Sequence, residues 1–347
     1  MSFNKASFED SLAKSVIAAE KCIGCGTCVI VCPFNCLEYV EGKPSLVKEC
    51  KVCGICPQVC PQYDWSWSKL ENFVFGRQRR AEEEFGVYCR LLVARAIDDR
   101  ILEACQDGGV VTALLLFALE NELIDSAVVS GISREKPLYP IPKLAITPQE
   151  ILGCAGTRYS YSPNILALDE AIKQKKTSIA FVGTPCQIRA IRKMQMLGLK
   201  KYTKTVKFLI GLMCSECFTY EGLIEKQIHK TLGLSLNDVR KMNIKRKILV
   251  KTKSEVRTVP LAEAKQYARK SCRFCDDFSS ELADISTGGL GLDGWTFTIV
   301  RTEKGEELLS GAERAGVIKT KDSNEEPNAL RLLHKLSKKK RQSSGSQ

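Results

Sequence analysis

Apolar and polar positions change rhythm several times along this 347-residue chain. The first 21 residues read as a short helix or arm. Residues 22–64 carry only short apolar stretches, such as 36–40, which is closed by the turn Glu41-Gly42-Lys43-Pro44. Residues 64–78 are aromatic, with Trp65, Trp67, Phe73 and Phe75, and read as a linker packed against the next domain or as a shield against water. A charged run, Arg77 to Arg80 and Glu82 to Glu84, comes next. From Val87 the pattern becomes that of alternating strands and helices. Strands are predicted over 88–97, 127–131, 178–182, 206–214 and 295–301, and helices over 110–123, 187–197, 220–232 and 260–271. The 110–123 helix is apolar nearly all round and is therefore predicted to be buried. Residues 243–259 are β-rich and basic, as in a hairpin, and Gly288, Gly289 and Gly291 mark a flexible turn. From Glu306 the chain is polar, helical and weakly structured. This alternation implies a partly parallel sheet with both faces covered. The fold class is α+β to α/β: a small unit over 1–64, a linker over 65–86, a larger mixed α/β domain over 87–335, and a frayed basic tail over 336–347.

Cysteine chemistry sharpens this picture. Cys22, Cys25, Cys28 and Cys32 precede Pro33, and Cys50, Cys53, Cys56 and Cys60 precede Pro61, with the same spacing 28 residues later. This is the two-cluster ferredoxin pattern, in which the fourth cysteine of each run serves the other cluster. Cys22, Cys25, Cys28 and Cys60 are thus predicted to hold one 4Fe–4S cluster, and Cys50, Cys53, Cys56 and Cys32 a second. Gly24, Gly26 and Gly54 are expected to let the backbone approach the cluster sulfides. Zinc needs no third cysteine at the same step, and a disulfide framework belongs in a secreted chain.

The chain holds 17 cysteines, so nine lie outside the repeat. Cys186 stands at a strand-to-helix turn, and Cys214 with Cys217 and Cys272 with Cys275 form C-x-x-C pairs. By spacing alone these five admit a third cluster, a zinc site or a redox dithiol. Cys36, Cys89, Cys105 and Cys154 have no motif and read as buried structural cysteines. With only two histidines, His229 and His334, no hydrolytic constellation can be drawn, so redox chemistry is favoured. Asp107-Gly108-Gly109-Val110-Val111-Thr112 opens the buried helix and offers backbone amides to a phosphate. Gly183-Thr184-Pro185 follows a strand, where α/β folds place ligands. The formal charge is +12, concentrated in Lys335, Lys338, Lys339, Lys340 and Arg341. It suits a solvated terminus, or peripheral docking on an anionic membrane or acidic partner. No motif for nucleic acid accompanies it. With no signal peptide and no apolar run long enough to span a bilayer, a cytoplasmic protein is expected.

Several stretches in order carry a resemblance. Gln106 to Thr112, Ala155 to Tyr159 with Ser162-Pro163, Gly183 to Gln187, Arg192 to Gln195, Gly211 to Cys214, Cys272-x-x-Cys275 and Glu281 to Gly288 resemble the β-subunit family of coenzyme F420-reducing hydrogenase and formate dehydrogenase. With the N-terminal ferredoxin unit, the chain is similar to the electron-input subunits of archaeal F420H2 dehydrogenases. The resemblance implies FAD, a third 4Fe–4S cluster, and reduced coenzyme F420 as hydride donor. The family's cluster cysteines map onto Cys186, Cys214, Cys272 and Cys275, leaving Cys217 without a carried-over role. Gly108, Gly109, Thr112, Thr157, Arg158 and Tyr159, with Gly183 and Thr184, become the expected FAD contacts. The expected partners are a membrane-associated dehydrogenase complex or ferredoxin. The alternatives are a plain electron carrier, or the β subunit of a hydrogenase or formate dehydrogenase that reduces F420.

Overall fold

The computed structural model describes residues 5–345. Its strands are β1 Leu37–Val40, β2 Lys43–Leu46, β3 Arg90–Ala96, β4 Ser126–Ile132, β5 Pro140–Ala145, β6 Ile179–Gly183, β7 Val206–Leu212, β8 Lys241–Lys245, β9 Lys247–Lys251, β10 Val256–Pro260, β11 Ile285–Gly288, β12 Thr296–Val300 and β13 Ile318–Asp322. Eight of them form one sheet in the order β13-β3-β12-β11-β7-β6-β4-β5. The central strands β11, β7, β6 and β4 run parallel. The flanking strands β12, β3, β13 and β5 join antiparallel. Every residue of β6 is buried, as expected of a parallel strand covered on both faces. Helices Val110–Glu120 and Glu303–Arg314 pack on one face through Ala113, Leu114, Leu308 and Leu309. Helices Ala167–Lys173 and Pro185–Met196 cover the other.

The N-terminal unit docks on that second face. Ile23, Val31 and Val59 join the core formed by Ile188, Ile191 and Met194. Lys193 fastens the contact: its Nζ donates to the carbonyls of Cys60 at 2.7 Å, Tyr63 at 2.7 Å and Asp64 at 3.2 Å. The Lys193→Met variant leaves these acceptors without their charged donor. It is expected to lose about 2–3 kcal/mol and to be cut faster by protease around residues 60–66, as limited proteolysis would show.

The aromatic stretch becomes helix Trp67–Phe75. Trp65 and Trp67 meet edge to face at 5.3 Å, and the buried Arg189 guanidinium lies 3.5 Å from the Trp65 ring centre. Asp276 completes this join, accepting from Arg189 at 2.5 Å and from Trp67 Nε1 at 2.6 Å.

Four expectations need correction. The basic hairpin is a three-stranded antiparallel sheet, β10-β9-β8, capped by helix Tyr220–Thr231. The helix expected over 260–271 shrinks to Leu261–Lys265, followed by a tight turn at Lys270–Phe274. Cys89 is exposed rather than buried. The polar end is well ordered: helix Glu303–Arg314, edge strand β13, and helix Pro327–Gly345. The expected basic tail thus continues a helix whose Ala329 and Leu333 pack beside Phe85 and Phe297; residues 346 and 347 lie outside the described residues. Lys335, Lys338 and Lys339 are exposed, whereas Lys340 and Arg341 turn inward. Among the described residues, no helix is long and apolar enough to cross a membrane.

Candidate redox site

The structure brings the repeat cysteines into two crossed sets. Cys22, Cys25, Cys28 and Cys60 line one small cavity with Leu12, Val16, Ile17 and Pro44. Burial drives the Cys28 thiol well above its ordinary range, and Cys25, Cys60 and Cys22 add like-charge pressure. Burial raises Cys60 to about 12, again with help from Cys25 and Cys22. In the second set, Cys56 is pushed to about 12 by burial, then by Cys53, Cys50 and Cys32. Backbone amides point at this set as well: Phe8 donates to Cys50 Sγ at 3.4 Å and Cys36 to Cys32 Sγ at 3.3 Å. Crowded, desolvated thiols that oppose each other's ionisation suit a cation that stabilises them as thiolates. Gly24, Gly26 and Gly54 all hold positive φ. A Cβ on Gly24 would strike the Gly42 carbonyl, and one on Gly26 the Leu166 side chain. Glycine thus lets each loop turn tightly.

A third set forms at the carboxyl ends of β6 and β7, a usual ligand position in parallel sheets. Pro185 starts helix Pro185–Met196, and Thr184 caps it, exchanging bonds with Gln187. This geometry fixes Cys186 in the first turn. Burial, then Cys275, Cys214 and Cys272, pushes the Cys186 thiol far up. Cys217 sits close by with its Sγ 3.9 Å from that of Cys214, while its amide donates to Cys272 Sγ at 3.4 Å. Lys340 donates to the carbonyls of Ser215 and, at 3.2 Å, Cys272. Burial pushes Cys272 to about 11, with Cys214 adding to the rise while Lys340 and Arg269 oppose it.

The glycine stretch opens on a different feature. The Gly108 amide donates to Thr296 Oγ1 at 3.0 Å and its carbonyl accepts from Ala96 at 2.7 Å. Its amide and carbonyl are thus both engaged by protein, as in a plain loop-to-helix entry. Gly109 likewise packs on Ile101, Cys105 and Ala96, and Thr112 is buried in the helix. Gly183 is enclosed by Phe181 and Gln187, and Thr184 Oγ1 lies 3.2 Å from Cys186 Sγ, at the third cysteine set. Beside Gly108 opens a cleft of about 230 Å³ lined by Arg95, Gln106, Asp107, Lys241, Asn243 and Lys245, among others. In its lining, the buried Gln106 Nε2 has no protein partner; in the 155–160 stretch the buried Arg158 Nε and Ser160 Oγ have none either. Tyr159, whose phenol is raised by burial and by Asp107, adjoins this cleft. Two residues on, the buried Tyr161 is raised by burial and then by Cys186. Sequence reasoning missed Arg95, Lys241 and Lys245. The stretch 243–259 read only as a basic hairpin, with no sign of the fold that brings β8 to Asp107.

The Glu281–Gly288 family stretch has a structural explanation. Buried Glu281 pairs with Arg79 at 2.5 Å and Arg341 at 2.6 Å. Asp284 accepts from Arg192, and from the Leu209 amide, at 2.8 Å each. Ser286 accepts from buried Arg301 at 2.7 Å. These residues bind the sheet, the linker and the terminal helix around the third cysteine set.

Comparison with known proteins gives this geometry a context. Residues 91–169 match the model described as coenzyme F420 hydrogenase/dehydrogenase, beta subunit N-term, and residues 176–326 match the model for the C terminus of that same beta subunit. Residues 15–38 match a 4Fe-4S binding domain. Coenzyme F420 hydrogenase subunit beta of Methanothermobacter thermautotrophicus is 40% identical over 74% of this chain and 92% of its own length. The F subunit of F(420)H(2) dehydrogenase from Methanosarcina mazei is 31% identical over 86% of this chain and 83% of its own. A chain of the F420-reducing NiFe hydrogenase complex from Methanosarcina barkeri superposes with a TM-score of 0.73 at 36% identity, covering 77% of this chain and 94% of that one. The protein is an iron–sulfur member of the coenzyme F420 hydrogenase/dehydrogenase beta-subunit family.

Proposed function

We propose that this chain oxidises reduced coenzyme F420 by hydride transfer to FAD. Electrons then leave singly through three 4Fe–4S clusters to a membrane-associated dehydrogenase complex or to ferredoxin, on the cytoplasmic side. FAD, when bound, supplies the exchange between a two-electron hydride and single electrons, which a deazaflavin and an iron–sulfur cluster cannot make directly. The chain's residues do the rest. Arg95, Lys241 and Lys245 offer cations to phosphate, and Gln106 presents an unpartnered amide in the same cleft. Gly108, Gly109, Thr112, Thr157 and Tyr159 remain the FAD contacts that the family resemblance implies. Cys186, Cys214, Cys272 and Cys275 take the third cluster, with Cys217 as a neighbour. Cys22, Cys25, Cys28 and Cys60 take one ferredoxin cluster, and Cys32, Cys50, Cys53 and Cys56 the other.

The observation that carries this reading is the short path of chain from cleft to cage. Tyr159 stands by Asp107 and Tyr161 by Cys186. The long match to the M. mazei protein supports the dehydrogenase form, whereas the hydrogenase relatives favour a protein that reduces F420. The test is anaerobic turnover of reduced F420 with a viologen acceptor, before and after removal of flavin. Loss on flavin removal and recovery on adding FAD are expected. Iron-replete protein that retains no flavin and turns over no F420 would instead be a plain electron carrier.

A further inference from the structure

Arg269 reaches two of the three cysteine sets at once. Its backbone belongs to the third: its amide donates to the Cys217 carbonyl at 2.9 Å, and its carbonyl accepts from the Cys272 amide at 2.9 Å. Its side chain points the other way. Nη1 donates to the Ile23 carbonyl at 2.8 Å, within the Cys22–Cys25 loop. Nη2 is close enough to crowd a Cβ placed on Gly24. The guanidinium is seated 4.2 Å from the centre of the Tyr161 ring, and Tyr161 adjoins Cys186. Among the described residues, the Cys50 set shows no such link. Its amide donors come from Phe8 and Cys36 within the N-terminal unit, and Phe34, Val47 and Val52 beside it are exposed.

We propose that Arg269 is a positioning residue that couples the third cysteine set to the Cys22, Cys25, Cys28 and Cys60 set. The clusters of these two sets are then neighbours that share one fixed cation, and the Cys32, Cys50, Cys53 and Cys56 cluster is the outlet to the acceptor. This deepens the reading above and rests on its third cluster. A buried positive charge favours the more negative, reduced state of each cluster that it faces, with little screening by salt.

The test uses the full chain, purified and reconstituted without oxygen, in EPR-monitored redox titrations of wild type, Arg269→Gln and Arg269→Lys. In Arg269→Gln, two of three midpoints should fall together. Each should fall by about tenfold in the reduction equilibrium constant, about 59 mV for a one-electron couple. The remaining midpoint should stay in place, and Arg269→Lys should recover most of the shift. A full iron content with unmoved midpoints, a shift confined to one cluster, or an equal shift of all three overturns the proposal. A second measurement does not depend on the Arg269 variants folding. In fully reduced wild type, magnetic coupling to the third cluster should add a splitting to the signal of the Cys22, Cys25, Cys28 and Cys60 cluster, beyond the mutual splitting of the two ferredoxin clusters, and Cys186→Ser should remove that addition alone. A fully reduced ferredoxin spectrum identical in wild type and Cys186→Ser overturns the neighbour order. Wild type with about eight irons instead of about twelve would remove the third cluster itself, and the coupling with it.

Discussion

Cys186→Ser is expected to cut viologen reduction by reduced F420 more than about 100-fold while leaving flavin bound. Substitutions that only touch a ligand's outer partners cost about 10–100-fold, and loss of a ligand should exceed that. Cys186 is the only cysteine that the β6-to-helix turn contributes to the third set; the others come from the end of β7 and the Lys270–Phe274 turn. Serine keeps the volume, the Thr184 cap and the helix start, so the fold has no reason to fail. Iron should drop by about one third, with the two ferredoxin signals retained. Viologen reduction at the wild-type rate would show that the third set lies off the electron path.

Arg301→Met should be the most damaging single change to stability outside the cysteines. Arg301 is 1% exposed. It donates to Ser286 Oγ and to the carbonyls of Phe85 and Val87. It also donates to the carbonyl and hydroxyl of Ser279. Burial pulls the guanidinium down to about 10, and Glu281 and then Asp277 hold it up against that pull. Methionine fills much of the volume but satisfies none of these acceptors and leaves the two acids less compensated. Removing one partner of a buried ionic network costs about 3–5 kcal/mol, a large part of the about 5–15 kcal/mol that holds a typical domain together. Urea unfolding of anaerobic holoprotein would show it as a lower midpoint. An unchanged midpoint would mean that the Arg301 network contributes no net stability.

How legible each element was in the sequence depends on the kind of signal it carries. The repeat of Cys22 to Cys32 at Cys50 to Cys60 predicted the crossed sets, because ligand spacing is a local property. Strands β6 and β7 were readable as continuous apolar runs. Strand β13, Ile-Lys-Thr-Lys-Asp, has one apolar residue and protects a sheet edge with lysines, so hydrophobic periodicity does not reveal it. Strand β5 hides behind Pro140 and Pro142, which an edge strand tolerates. Polar β11 is central because Ser286 answers a buried arginine from β12's end, a pairing no local pattern shows. The candidate site was half legible for the same reason. Lys340 read as part of a solvated terminus, yet it is drawn, like Lys193 and Arg269, to the carbonyls around the cysteine sets. The glycines before helix Val110–Glu120 read equally as a phosphate loop or a plain loop-to-helix entry, and the Thr296 hydroxyl that engages Gly108 is remote in sequence.

The most direct test of the two-to-one electron conversion is an anaerobic titration of oxidised holoprotein with reduced F420, followed by flavin absorbance and cluster EPR. The account predicts that wild type bleaches its flavin and reduces its clusters, whereas Cys186→Ser bleaches the flavin with the ferredoxin clusters left oxidised. Reduction of the clusters by reduced F420 in protein stripped of flavin would contradict it.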